Sequence, residues 1–344
     1  MIVITGGTGY IGKNIAYYFL TQGEKVVLLD NFYNSSCESL YELFKTLDEK
    51  KISRNNLKFF NVDLTDRKKV NNFFFYELSY MENEMLLSPL KGIIHCAGHK
   101  SVPVSCHNPL EYYRNNLIST INIIECLQIY TNIKKEVIPI IFSSTTTVYG
   151  DNPSPLNENM ECKLKNITSP YGKTKFMIEE ILKDCSKHVK AISLRYFNPI
   201  GCFEQLQEEI NEKSTNIIPT LVKKNKDNIN FQIFGDDYVT EDGTCVRDYI
   251  DVRDLAKAHY LALEYAIKMD KNYDVFNIGT EKGTSVKELI NIIERVKKIK
   301  INNEVVKKRE GDLAVCFSNS EKAKKLLNWQ PEYTFEESIK SINF

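Results

Sequence analysis

The chain has 344 residues, too many for one small core, so one large domain with an appended lobe, or two domains, is expected. Lys plus Arg and Asp plus Glu balance at 45 each, which leaves no net field to draw nucleic acid or an anionic membrane. Hydrophobic content of 42% with 11% aromatics argues against a disordered chain, and no run reaches the ~18 apolar residues of a membrane span.

Met1 to Thr5 is a short apolar run that stops at glycines, the pattern of a buried parallel strand. Ile11 to Gln22 follows with helical spacing. Lys25 to Leu29 is a second apolar run, ended by Asp30. Leu57–Asn61, Gly92–His95, Val137–Phe142 and Ala191–Tyr196 are further strand candidates. Helices are expected at Glu38–Lys50, Asp66–Leu87, Pro109–Tyr130 and Pro170–Lys187. This alternation predicts an α/β fold, a doubly wound parallel sheet covered on both faces. It breaks at Pro199–Thr215, which reads as a long loop. A helix (Ile217–Lys224), a strand (Phe231–Phe234), a Gly- and Asp-rich loop and a helix (Asp251–Met269) come next. Val275–Ile278, Ser285–Lys298 and Ser320–Asn328 complete a smaller mixed α/β lobe. The expected division is 1–197 and 198–344, with part of 235–275 returning to the first domain. The Lys-rich 297–308 stretch reads as a solvated face.

The nine cysteines (37, 96, 106, 126, 162, 185, 202, 245 and 316) are odd in number, irregular in spacing and without a C-x-x-C. A disulfide scaffold or zinc knuckle is not expected. His95 and His99 are four apart but separated by Gly98 in an expected loop, so no metal site is predicted. The glycine turn begins too early to leave room for a signal peptide, and a reduced, cytoplasmic setting is expected.

The first chemical motif is Thr5-Gly6-Gly7-Thr8-Gly9-Tyr10-Ile11-Gly12. Gly6 permits a tight turn, Gly9 lets backbone approach a pyrophosphate, and Gly12 lets the helix pack on the strand. The helix N-terminus supplies donors to the phosphates. Asp30, about 20 residues on, suits adenosine ribose hydroxyls and repels a 2′-phosphate, which favours NAD over NADP. It could equally cap the following turn, as could Asn31 and Asn34. Asp63 is placed either to bond the adenine or to cap a helix.

Ala97-Gly98 follows the fourth strand and Ser143-Ser144-Thr145-Thr146-Thr147 the fifth. Tyr171 and Lys175 lie four apart on the next helix, on one face. All three segments should border the cofactor, because ligands in parallel sheets sit at the carboxyl ends of the strands. Tyr171 is the expected base for an alcohol, with the Thr145 hydroxyl on the same oxygen. Bringing a phenol from near 10 to between 6 and 7 requires about 4–5 kcal/mol of preference for phenolate. One positive charge about 6 Å away, at an effective dielectric near 20, supplies about 2.8 kcal/mol. Lys175 alone falls short; Lys175 plus an oxidised nicotinamide suffices. The bland reading is an ordinary surface Tyr/Lys pair.

With Leu29-Asp30-Asn31, His95-Cys96-Ala97-Gly98-His99-Lys100, Pro109-Leu110-Glu111-Tyr112-Tyr113, Ser169-Pro170-Tyr171-Gly172-Lys173 and Leu194-Arg195-Tyr196-Phe197-Asn198-Pro199, the chain resembles the extended short-chain dehydrogenase/reductase family over nearly its whole length. Thr240-Glu241-Asp242-Gly243-Thr244, Val246-Arg247-Asp248-Tyr249-Ile250 and Arg309-Glu310-Gly311-Asp312 point within it to the UDP-glucose 4-epimerases. The resemblance implies a Rossmann-type fold, a tightly held NAD, a UDP-hexose substrate and a homodimer. It implies cofactor contacts from Tyr10, Ile11, Asn31, Asn34, Ser35, Leu64, Cys96, Lys100, Asn115, Tyr196 and Phe197. It implies substrate contacts from Lys100, Thr147, Asn198, Asn216, Ile217, Gln232 and Phe234, diphosphate contacts from Arg247 and Arg309, and a ribose contact from Asp312. Cys316 stands where some relatives have a bulky residue, so it could admit a 2-N-acetyl group or simply fill a core. Thr145 replaces a frequent Ser, and the insert around Tyr80–Pro89 has no functional reading. Nucleotide-sugar dehydratases place acids where this chain has Thr146 and Thr147. A UDP-glucuronate epimerase or decarboxylase, or a non-catalytic NAD-binding sensor, remains as an alternative.

Overall fold

The computed structural model describes residues 1–83, 89–210, 216–309 and 312–344. In chain order the first half holds β1 (Ile2–Thr5), α1 (Tyr10–Thr21), β2 (Val26–Asp30), α2 (Cys37–Glu49), β3 (Leu57–Asn61), α3 (Arg67–Asn72), α4 (Leu78–Asn83), β4 (Gly92–His95), α5 (Val102–His107), α6 (Pro109–Lys134), β5 (Pro139–Thr145), α7 (Pro170–Asp184) and β6 (Lys190–Tyr196). The second half holds β7 (Asn198–Ile200), α8 (Ile217–Lys226), β8 (Phe231–Phe234), β9 (Val246–Asp251), α9 (Val252–Lys268), β10 (Tyr273–Ile278), β11 (Gly283–Ser285), α10 (Val286–Lys297), β12 (Asn303–Val306), β13 (Val315–Cys316), α11 (Glu321–Leu327) and α12 (Phe335–Ser341).

Seven parallel strands form the main sheet in the order β10-β6-β5-β4-β1-β2-β3. β1 is buried on both faces, and its alternation sorts its side chains between two cores. Ile2 and Ile4 meet Ile15 and Phe19 of α1 and Leu255 of α9. Met1 and Val3 lie with Ile123 and Leu127 of α6 and Ile178 of α7. The chain runs outward from β1 through β2 to β3, then returns to place β4 on the other side of β1. Strand order therefore reverses between β1 and β4, and that reversal opens a crevice at the carboxyl ends of the strands.

Two sequence expectations are corrected. Val275–Ile278 does not belong to the smaller lobe: β10 pairs with β6 from Tyr273↔Ala191 to Ile278↔Tyr196, and α9 packs against α1. The single helix expected from Asp66 is broken. Asp66 caps α3 by accepting from the Lys68 and Lys69 amides, and a π turn at Phe73–Glu77 follows before α4. That extra residue per turn aims Phe73 and Phe74 both into the core. The 84–88 part of the insert, 211–215 of the expected long loop, and Glu310 and Gly311 lie outside the described residues.

In the smaller lobe β9 pairs with β7, β11 and β13, and β8 pairs with β12, around Leu221, Phe231, Ile233, Leu289 and Ile293. The Thr240–Thr244 segment is a turn lock. Asp242 accepts from the Thr244 amide and hydroxyl and from Ser285, the cap of α10. A Cβ on Gly243, at φ 80°, would meet the Asp236 carbonyl oxygen at 1.9 Å. In the Lys-rich 297–308 stretch Lys298, Lys300 and Lys307 are exposed as expected, while half-buried Lys297 turns to the carbonyls of Lys340 and Ile342 at the end of α12.

Trp329 knits the C-terminal segment to the main sheet. It is fully buried in the α1/α9 core and donates from Nε1 to the Asp254 carbonyl at 2.9 Å. The Asp254 carboxylate in turn accepts from the Glu332 and Tyr333 amides. Trp329→Ala is expected to cost about 3–5 kcal/mol, read as a lower denaturant midpoint at unchanged slope.

Candidate active site

A cavity of 1260 Å³ lies along the crevice and extends into the smaller lobe. Every site residue named from the sequence lines it except Ser35. Ser35 instead braces the turn, with its hydroxyl 2.7 Å from that of Thr8 and 3.5 Å from Asp30 Oδ1.

At one end is the glycine turn. The Gly6 amide donates to the Leu29 carbonyl at 2.8 Å, which ties the turn to β2. Gly6 has φ 65°, and a Cβ on it would stand 2.8 Å from the Ala97 amide nitrogen. A Cβ on Gly12 would sit 2.1 Å from the Gly6 carbonyl oxygen, so α1 approaches the turn as only glycine allows. No side chain caps α1 at Gly9, whereas Ser36, Ser169 and Ser285 cap α2, α7 and α10. No side-chain cap therefore competes with a ligand for the first amides of α1.

Asp30 lines the cavity and also locks the turn, accepting from the Thr8 amide at 3.1 Å and the Phe32 amide at 2.9 Å. Asn31 accepts from the Tyr33 amide. Asp63 does not cap a helix; it locks a turn, accepting from the Thr65 amide and hydroxyl. Burial raises its pKa, but hydrogen bonds from Thr65 and Asn31 outweigh that and hold the carboxyl below its usual range.

Tyr171 and Lys175 project from the first turns of α7, whose start is fixed by Pro170 and by Ser169 accepting from the Gly172 amide at 3.1 Å. Thr145 is the last residue of β5, and its oxygen accepts from the Thr147 amide at 3.3 Å. The Lys175 ammonium donates to the Ser143 carbonyl at 2.8 Å and lies 4.7 Å from the Phe142 ring and 5.9 Å from the Tyr171 ring. In the chain alone burial pushes the Tyr171 phenol up to about 12, offset in part by a hydrogen bond with Thr145. Burial also brings Lys175 down to about 8. The protein by itself therefore leaves the base unactivated.

Glu179, one turn beyond Lys175, was not singled out from the sequence. It accepts from Arg195 Nε at 3.0 Å and Nη2 at 2.5 Å, and from the Ser144 hydroxyl. This buried carboxylate fastens α7 to β5 and β6. The i, i+4, i+8 series Tyr171, Lys175, Glu179 was the signal for it. His95 is buried between the Thr5 and Thr120 hydroxyls, and burial lowers its pKa to about 3, so it is neutral. No cluster able to hold a metal occurs among the described residues.

At the other end Arg247 Nη1 donates to the Leu313 carbonyl at 2.7 Å, and its Nη2 faces Asp312 at 3.6 Å. The Arg309 guanidinium lies 3.6 Å from the centre of the Phe234 ring. Glu208 pairs with Lys100 and accepts from Asn216 at 2.9 Å, joining two cleft residues from opposite sides. Cys316 pairs in register with Arg247 and packs against the Tyr149 and Phe197 cluster, so it is both a cavity wall and a core contact.

A family model described as the NAD dependent epimerase/dehydratase family matches residues 2–279. Over 343 residues, 98% of this chain and 94% of that protein, the chain is 37% identical to a UDP-glucose 4-epimerase of Bacillus subtilis (strain 168). A UDP-glucose 4-epimerase structure from Bifidobacterium longum, in complex with NAD+ and UDP, superposes with a TM-score of 0.84 at 32% identity, covering 99% of this chain and 96% of that one. A UDP-Glc/GlcNAc 4-epimerase from Campylobacter jejuni superposes at 0.76 with 34% identity, covering 99% and 97%.

Burial of Tyr171 and the two charges needed to offset it make one expectation. Its phenol should titrate at lower pH when the protein holds oxidised NAD than when it holds reduced NAD. Ultraviolet difference titration of Tyr171 in the two states measures this, and equal values would refute the two-charge account.

Proposed function

The chain belongs to the NAD dependent epimerase/dehydratase family, and we propose that it interconverts UDP-glucose and UDP-galactose. The reaction oxidises the sugar at C4, turns the 4-keto sugar over and reduces it again, so it is an isomerisation with no net redox change. The observation that carries this reading is the convergence of Tyr171, Lys175 and Thr145 with the glycine turn and two arginines in one cavity. It is supported by relatives named for this activity and by a neighbour solved with NAD+ and UDP.

NAD fits the cofactor end: the uncapped α1 amides suit a pyrophosphate, and the Asp30 carboxylate suits an unphosphorylated ribose. NAD bound there would supply the hydride acceptor, and then the donor, for the sugar carbon. The residues of the chain do the rest. Gly6, Gly9, Tyr10, Ile11 and Gly12 cradle the dinucleotide, and Asp63, Leu64 and Asn34 bound its adenosine side. Tyr171 removes the proton from the 4-hydroxyl and later restores it, while Thr145 holds the same oxygen. Lys175 stabilises the phenolate. Arg247 and Arg309 grip the diphosphate, where guanidinium geometry suits phosphate oxygens. Asp312 holds the uridine ribose, and Asn198, Asn216, Ile217, Gln232 and Phe234 enclose the nucleotide sugar.

In the division of labour we propose, 1–197 with α9 and β10 serves NAD, and the remainder of 198–344 serves the UDP-sugar. A homodimer is supported by the apolar residues that α6 exposes: Ile118, Ile121, Ile129 and Ile133. A cytoplasmic setting is supported by nine free cysteines. No described helix is long and apolar enough to cross a membrane.

Purified protein is expected to convert UDP-galactose to UDP-glucose without added NAD. Tyr171→Phe should lower kcat by about 10²–10⁴. Untouched UDP-galactose in a coupled assay for UDP-glucose would end the proposal.

The small Cys316 side chain on the cavity wall, and the UDP-Glc/GlcNAc 4-epimerase among the structural neighbours, favour acceptance of N-acetylated sugars as well. Cys316→Tyr should cost activity on UDP-N-acetylgalactosamine while sparing UDP-galactose. Equal loss on both substrates would make Cys316 a core residue only.

A further inference from the structure

β2 and β4 are the two neighbours of β1 in the sheet. Their carboxyl ends are separated by the width of β1, about 10 Å from backbone to backbone. The glycine turn and the start of α1 occupy that gap. The loop after β2 nevertheless meets the loop after β4. The Tyr33 and His99 rings stack, with centroids 4.2 Å apart and planes at 30°. Glu111, in the first turn of α6, closes the figure. Its Oε1 accepts from the Tyr33 hydroxyl at 2.6 Å and lies 3.3 Å from His99 Nε2.

His99 and Tyr33 are also held by contacts outside the bridge. The His99 amide donates to Asn116 Oδ1 at 2.8 Å, and its carbonyl accepts from Asn116 Nδ2 at 3.1 Å. The His99 ring also meets Tyr112 edge-on at 5.4 Å. The Tyr33 amide is fixed by Asn31. Tyr33 and His99 both line the cavity, together with the glycine turn, while Tyr33 keeps 45% of its surface exposed. The stacked pair thus has one side toward the cofactor groove and another toward solvent.

We infer that Tyr33, His99 and Glu111 form a clasp across the cofactor groove and set how long NAD stays bound. The inference rests on NAD lying at the glycine turn. It deepens that reading by naming what holds the groove shut. A dinucleotide seated between the β2 and β4 loops leaves past this bridge, so the stack and the phenol–carboxylate hydrogen bond must break first. Retention matters for the proposed reaction, because the cofactor is returned to its starting state in every turnover and gains nothing by leaving. None of Tyr33, His99 and Glu111 has a role in the proposed proton or hydride transfer, and their effect is expected on dissociation rather than on chemistry.

The test is exchange of bound NAD. Protein holding NAD is mixed with an excess of isotopically labelled NAD, and exchange is followed by rapid filtration. Tyr33→Ala is expected to speed exchange about tenfold or more. His99→Ala should act alike, and the double variant should exceed neither single one by much, because the two remove one shared contact. Tyr33→Phe keeps the ring and loses the hydroxyl that donates to Glu111. It should speed exchange by a smaller factor, and it serves where Tyr33→Ala does not fold. Parental exchange rates in the Tyr33 variants, or effects of Tyr33→Ala and His99→Ala that simply multiply, would overturn the clasp. Parent protein that neither carries nor takes up NAD would overturn the cofactor reading, and the clasp with it.

Discussion

A lysine ammonium buried to 5% exposure against a backbone carbonyl is the constraint around which this site is arranged. Removing a cation from water costs several kcal/mol unless something offsets it. The Ser143 carbonyl and the Phe142 ring offset part of the cost, and no described carboxylate forms an ion pair with Lys175. Burial still leaves its pKa near 8, so the group is a cation at neutral pH. An adjacent carboxylate would make burial cheaper and would cancel the field. Without one, the positive charge stays available to Tyr171, whose ring centre is 5.9 Å away. The site gives up stability to keep that charge uncancelled.

The nearest candidate to cancel it is Glu179, and its carboxylate is already committed to Arg195 and Ser144. The commitment also sets geometry. It joins α7, which presents Tyr171 and Lys175, to the strand that presents Thr145. The network then runs outward. Arg195 lies over the Tyr149 ring at 4.7 Å, and the Tyr149 hydroxyl donates to Asn277 Oδ1 at 2.7 Å. Asn277 belongs to β10, so a strand more than a hundred residues downstream of Thr145 steadies the catalytic helix. Buried ion pairs are poor sources of stability, and the better account of this one is that it fixes the relative position of a helix and a strand.

What the sequence made legible follows from how local each feature is. The glycine turn, the Tyr171/Lys175 spacing and the apolar runs of the first six sheet strands are each written in a few consecutive residues, and the structure brings them together where strand order reverses. β10 was misassigned because Tyr273–Ile278 carries nothing to say which sheet it joins; pairing with β6 across some eighty residues decides it. The π turn at Phe73–Glu77 was invisible because helical periodicity survives one extra residue. Tyr33 and Glu179 were passed over for a related reason, and His99 was weighed only as a metal ligand. Each acts through a partner remote in sequence or on another element, which no local spacing announces. The nucleotide-sugar residues were legible only through resemblance, since isolated arginines and asparagines carry no spacing of their own.

The two ends of the cavity are built with unequal stiffness, and the proposed reaction needs that inequality. Arg247 is tied to the Leu313 carbonyl and to Asp312, and Arg309 is flattened on Phe234, so both guanidinium groups are oriented in advance. Side chains already ordered lose less entropy when they grip a diphosphate. In the proposed reading the hexose lies against short side chains, Thr145, Thr147 and Cys316, which line the same cavity. A sugar that must present both faces of C4 to one fixed hydride acceptor needs such a loose wall. It also needs an anchor that does not turn with it, and the phosphates supply one because the rotation takes place about the bonds beyond them. Selectivity for the nucleotide and tolerance toward the sugar are therefore consequences of one division of rigidity, and tightening the hexose end would be expected to slow the turnover of the keto sugar before it improved recognition.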